Sequence, residues 1–154
     1  MKKNNKKLIL IFFLVLLFFT ESNAEQNQQF LSLKNNEVNL RQGPSFEYPI
    51  ILAYKKKYLP VLVVDKFETW VKISDFEKNS GWIHISQLSK KKTAINIIKN
   101  SILYKKPTIY SKPIVILETG RMVLIKKCRD KWCKISSGGF NGWVIKNSLW
   151  GKIK

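Results

Sequence analysis

Histidine is almost absent from this sequence: His84 is the only one in 154 residues. Cysteine occurs twice, at Cys128 and Cys133, and ten acids stand against 28 lysines and arginines. Each scarcity removes a class of chemistry. One His and a lone C-x4-C pair cannot assemble the four-ligand set of a structural zinc site, so no metal is expected. A Cys–His hydrolase needs a free nucleophile beside a base, and His84 lies far along the chain from either cysteine. Paired carboxylates are hard to assemble, because Glu68, Asp75 and Glu77 sit beside lysines in turn-like segments and read as solvated turn charges. Ser136-Ser137-Gly138-Gly139 lacks the Lys-Ser/Thr and helix of a phosphate-binding loop and reads as a hairpin turn ahead of Gly142-Trp143. Neither an enzyme nor a cofactor is expected, nor a separate catalytic domain.

Long apolar runs are scarce too. The one that exists, Leu8 to Phe19, follows Lys2, Lys3, Lys6 and Lys7 and precedes Thr20-Glu21-Ser22-Asn23-Ala24. That order is the pattern of a secretory signal peptide, with cleavage expected after Ala24. Twelve helical residues cover roughly 18 Å, short of a hydrocarbon core of roughly 30 Å, so an anchor is disfavoured and no membrane span is expected after cleavage. No Cys lies near the cleavage point to carry a lipid. The expected destination is the periplasm of a Gram-negative cell, or otherwise the medium or cell surface. In such an oxidising compartment Cys128 and Cys133 are expected to form a structural disulfide. Four residues separate them, a spacing that lets them face each other across a hairpin, and so short a loop contributes about 2 kcal/mol.

Four basic residues and one acid precede the cleavage point, leaving 24 basic against 9 acidic residues, a net charge of +15. Such a field attracts anionic polymers. Only Arg41, Arg121 and Arg129 are arginine, however, and a biased genome rich in Lys, Asn and Ile codons would produce the same charge without selection. Export argues against nucleic acid as the partner.

Read against itself, the remainder is a duplication. Val38-Asn39-Leu40-Arg41 lies over Ile102-Leu103-Tyr104-Lys105, and Pro49 over Pro113. Trp70-Val71-Lys72-Ile73-Ser74 lies over Trp132-Cys133-Lys134-Ile135-Ser136, Gly81-Trp82-Ile83 over Gly142-Trp143-Val144, and Leu88 over Leu149. The offset drifts from 64 through 62 to 61, with the slips between apolar runs. Those runs are short, rich in Val, Ile, Tyr and Trp, and punctuated by turn residues, which predicts an all-β fold of small barrels. Alternation places Val71, Ile73, Ile83 and Ile85 toward the core and Trp70, Lys72, Trp82 and His84 on the other face. Beyond the signal peptide (1–24), the expected organisation is a linker at 25–31, a first domain at 32–89, a link at 90–93 and a second domain at 94–151.

Val38-Asn39-Leu40-Arg41-x-Gly43-Pro44-Ser45, then Trp70-x-Lys72-Ile73 and Gly81-Trp82-Ile83-x5-Leu88, resembles the bacterial Src-homology-3-like (SH3b) domain. The whole is similar to exported two-copy proteins of that superfamily in alphaproteobacteria. The resemblance implies two tandem SH3-like β-barrels that hold cell-wall or protein ligands. The second copy shows Tyr104-Lys105-Lys106-Pro107-Thr108 where the Leu-Arg-x-Gly-Pro motif is expected, and its loop is expected to take a different shape. Arg41, Tyr48, Trp70 and Trp82 are the candidate binding residues, as aromatic faces beside a cation. Each has a plain packing alternative: the Trp rings could cover the barrel, and Arg41 could pair with Glu47 to hold its own loop. His84 reads as a surface strand residue. The expected function is a non-catalytic exported binding module for peptidoglycan or an envelope protein, the alternative being a structural interaction module without a glycan ligand.

Overall fold

The computed structural model describes residues 28–153. The basic n-region, the apolar run and the cleavage point after Ala24 all lie outside those residues. Alternating apolar positions and turn residues build fourteen strands in two equivalent sets. The first set is β1 (Phe30–Leu33), β2 (Val38–Arg41), β3 (Ile50–Tyr54), β4 (Pro60–Phe67), β5 (Trp70–Ser74), β6 (Ser80–His84) and β7 (Leu88–Ser89). The second is β8 (Thr93–Asn96), β9 (Ser101–Tyr104), β10 (Pro113–Leu117), β11 (Met122–Arg129), β12 (Trp132–Ser137), β13 (Phe140–Ile145) and β14 (Leu149–Gly151). The strand orders correspond one to one: β3-β2-β6-β5-β4-β1-β7 and β10-β9-β13-β12-β11-β8-β14. A short 3-10 turn, Ile85–Gln87 or Lys146–Ser148, precedes the last strand of each copy. These are the two tandem all-β units expected from the sequence.

Two expected boundaries move. β1 begins at Phe30, inside the expected linker, because Phe30 and Leu31 pair with Leu62 and Val61. Thr93, assigned to the link, opens β8 opposite Leu124.

Each copy closes over its own core. Leu33, Leu40, Val61, Val71, Ile73, Ile83 and Leu88 are central in the first, and Leu103, Val123, Cys133, Ile135, Val144 and Leu149 in the second. A fully buried Leu, Ile or Val side chain contributes roughly 1.5–3 kcal/mol by leaving water. Ile85, expected in the core, is 52% exposed. Strand β6 ends at His84, so the 3-10 turn breaks the period of two before Ile85. The long strands β4 and β11 bend at register shifts after Val63 and after Ile125, which lets one strand serve both parts of its unit.

Strand pairing corrects the repeat in one segment. Arg41 lies opposite Trp82, and Tyr104 lies opposite Trp143, so Arg41 and Tyr104 are equivalent at an offset of 63 rather than 64. The Gly-Trp motif has a steric cause in both copies. A Cβ on Gly81 would lie 2.7 Å from the Arg41 carbonyl oxygen, and one on Gly142 would lie 2.7 Å from that of Tyr104. Only glycine permits the crossing strand to approach so closely.

The copies dock through Trp150 of β14. Its ring meets Phe30 edge-on at 5.0 Å and Phe76 at 5.7 Å.

Candidate functional site

Arg41 sits at the end of β2, where the chain leaves the sheet for loop 42–49. Its Nη1 donates to the carbonyl oxygens of Phe46 at 2.9 Å and Tyr48 at 2.7 Å. The loop is therefore held by backbone carbonyls, not by the Glu47 carboxylate that the sequence suggested. The guanidinium also stands 5.7 Å from the Phe46 ring centroid.

Phe46 is thereby pinned over the sheet, where it meets Trp70 edge-on at 4.8 Å and His84 at 5.5 Å. Trp70 and His84 complete the triangle at 5.3 Å and are themselves a cross-strand pair. Trp70 is only 6% exposed because these rings cover it, whereas Phe46 is 66% exposed. His84 is fixed in turn, its Nδ1 accepting from the Ser86 backbone N–H and lying 2.8 Å from Ser86 Oγ. An exposed ring such as Phe46, backed by buried aromatics and next to a buttressed cation, forms a shelf that can stack against a sugar face, a peptide stem or a proline. Trp82 continues this surface between Arg41 and Lys72 and is half-buried.

Of the expected binding residues, the structure brings together Arg41, Trp70 and Trp82, with Tyr48 at the far end of the loop over Gly43. Phe46 was not singled out from the sequence, and His84 was read as having no special role. Their signal is faint: an aromatic three residues past Gly43, and a His two residues past Trp82 on the same face.

The second copy keeps the loop and loses the shelf. Thr108 N–H donates to Lys106 O as Ser45 N–H does to Gly43 O, and Lys105 N–H donates to Lys112 O as Gln42 N–H does to Pro49 O. The expectation of a differently shaped loop is corrected, because Pro107-Thr108 stands in place of Pro44-Ser45. Ile109 and Ile145 replace Phe46 and His84, and the one ring that meets Trp132 among the described residues is Tyr104, at 5.7 Å.

Asp75, expected to be a solvated turn charge, is buried. Its carboxylate accepts from Tyr54 Oη at 3.0 Å and from the backbone N–H and side-chain amide of Asn79, each at 2.8 Å. Burial, and then the Asp75 carboxylate, push the Tyr54 hydroxyl's pKa well above its usual value. This cluster ties the turn before β6 to β3 and is structural. Cys128 and Cys133 form the expected disulfide, facing each other across β11 and β12 with Cα atoms 4.0 Å apart. Gly138 and Gly139, both at positive φ, make the expected two-residue hairpin turn.

A family model described as bacterial SH3 domain matches residues 34–90 and again 99–151. No curated protein matches the chain. Solved structures similar to it include NlpC2 from Trichomonas vaginalis, at 16% identity and TM-score 0.38, with 82% of this chain and 49% of that one covered. NlpC1 from the same organism follows at 16% identity and TM-score 0.37, covering 85% and 48%. An NlpC/P60 family protein from Bacillus cereus follows at 14% and 0.36, covering 79% and 56%. The chain spans about half the length of these structures. Among the described residues no helix is long and apolar enough to cross a membrane.

Proposed function

The chain belongs to the bacterial SH3 domain family, present in two copies, and from that premise we propose that it is an exported, non-catalytic binding module for cell-envelope material. The carrying observation is the exposed Phe46 ring, seated on Trp70 and His84 beside Arg41, an arrangement found in the first copy. Membership of a family whose modules hold cell-wall ligands supports this reading, as does the signal-like order of residues 2–24. The preferred ligand is peptidoglycan, whose sugar faces and short peptide stems suit an open aromatic surface better than a closed pocket would. Arg41 then acts as a positioning residue, because its Nη1 donates to loop carbonyls.

Retention on purified sacculi tests the proposal. The mature chain should bind in moderate salt and lose most retention on Phe46→Ala, a change at an exposed ring that leaves the core intact. Release by salt alone, with Phe46→Ala unchanged, would show simple charge attraction.

A second reading, as a protein-interaction module, is favoured by one feature. The edge strands β3 and β10 expose Ile50, Ile51 and Leu52, and Ile114 and Ile116. Such edges accept a strand from a protein partner. Cross-linking in the periplasm that is lost on Ile51→Lys, with sacculus binding absent, would favour it.

A further inference from the structure

The second copy carries a cleft of about 250 Å³ lined by Lys92, Lys127, Arg129, Lys146 and Asp130. It lies below the roughly 300–1,000 Å³ typical of drug-sized ligands and suits a small charged group. Four chain segments build it, at 92, 125–130, 146 and 153, and each is tied down, Ile153 by its N–H donating to Gly151 O at 3.0 Å. The Lys92 carbonyl accepts from Ile125 N–H at 2.9 Å, and Lys146 N–H donates to Lys131 O at 2.8 Å. Cys128, between Lys127 and Arg129, is bonded to Cys133 across the hairpin.

The duplication supplies an internal control for the charge. Matching backbone bonds, Val63 N–H to Gln29 O and Ile85 N–H to Thr69 O, make Gln29 the counterpart of Lys92 and Ile85 that of Lys146. Strand register makes Asp65, Lys66, Phe67 and Glu68 the counterparts of Lys127, Cys128, Arg129 and Asp130. Four cations against one acid leave +3 in the second copy, and one cation against two acids leave −1 in the first. Genomic bias toward lysine would load both copies alike, so this contrast is local.

The cations are also arranged and uncompensated. Arg129 stands 4.9 Å and Lys127 5.8 Å from the Trp143 ring centroid. An arginine packed beside a ring can still offer guanidinium N–H groups to an oxyanion. The ion pairs among the described residues are Lys55–Glu37 and Arg121–Glu118, and neither involves the cleft. We propose that this cleft is an oxyanion site for a phosphate group, separate from the aromatic shelf of the first copy and independent of what that shelf binds. A phosphate monoester, close to a dianion at neutral pH, matches the net charge better than a single carboxylate.

Amide chemical shifts of the mature, disulfide-bonded chain, titrated with inorganic phosphate at constant ionic strength, test it. Saturable shifts should be confined to residues near 92, 125–130 and 146. K127D/R129F, which installs the first copy's residues, should weaken binding at least tenfold, and R129Q/K146Q should do the same if the first variant unfolds. K55Q should change nothing. Shifts spread over lysines of both copies, or phosphate binding unaltered in both double variants, would overturn the site. Vesicles carrying phosphatidic acid separate the sources. Retention lost with R129Q/K146Q supports the site with a lipid phosphate; saturable free phosphate without vesicle retention supports it with a soluble one.

Discussion

The ring of Tyr48 fills the space that a side chain on Gly43 would need, with ring carbons 2.6 Å from an ideal Cβ. In the second copy the equivalent positions are Lys106 and Ser111, and Lys106 N–H donates to Ser111 Oγ at 2.8 Å. One loop shape is thus reached by two compensated pairs. Gly43→Ala should destabilise the first copy by about 1–3 kcal/mol through overpacking. Tyr48→Ser should relieve most of that cost, with a coupling of at least about 1 kcal/mol in a urea-unfolding double-mutant cycle. Simple additivity would refute the packing account.

Arg41→Lys should loosen loop 42–49 while keeping the charge. A lysine ammonium lacks the planar fork that reaches the Phe46 and Tyr48 carbonyls together. At this exposed site the stability loss should be only about 0.5–1.5 kcal/mol. Amide exchange over residues 42–49 should quicken all the same; unchanged protection there would show that the two bonds do not hold the loop.

Tyr54 gives the first copy an alkaline limit. Its folded pKa is raised, by burial first and by the Asp75 carboxylate second, so the fold favours the neutral phenol. The stabilisation is complete below the unfolded value of about 10 and is lost as pH rises above it toward the folded value. Stability curves of the native chain and Tyr54→Phe should therefore run parallel through neutral pH and converge above about pH 10. Tyr54→Phe should cost about 1 kcal/mol at pH 7, since Asp75 keeps both bonds from Asn79.

Trp150 should couple the two copies. Trp150→Ala removes the ring that touches Phe30 and Phe76 and should cost about 2–4 kcal/mol. Calorimetry should then resolve two melting transitions where the native chain shows closer coupling. A uniform downward shift of one transition would contradict this role.

Reduction of Cys128–Cys133 should lower the stability of the second copy by about 2 kcal/mol, the contribution of a short closed loop. The native protein, purified under non-reducing conditions, should show no alkylatable thiol until it is reduced. Denaturant midpoints with and without reductant read the effect, and the first copy's transition should stay in place.

Much of this fold was legible in the sequence, for local reasons. Period-two alternation in Trp70–Ile73 and the recurrence of Gly-Trp reflect constraints that each short segment carries alone, so the strands, the doubling and the disulfide could be read directly. The offset of 64 failed by one residue because β2 and β9 are four-residue strands whose apolar pattern fits two registers; cross-strand pairing of Arg41 with Trp82 and Tyr104 with Trp143 decides between them. Asp75 was misread for a similar reason. Its burial depends on Tyr54, 21 residues away, and nothing near it in sequence signals that partner.

The sequence by itself determined the β class, the two copies and the cysteine pair, since these follow from residue type and spacing. Only the tertiary structure decided which side chains meet. It placed Phe46 and His84 against Trp70, turned Arg41 inward to its own loop, and gathered Lys92, Lys127, Arg129 and Lys146 into one cleft. These groups come from segments separated by loops whose lengths the periodicity does not constrain. Their convergence is a property of strand register and barrel closure, which exists only once the chain has folded.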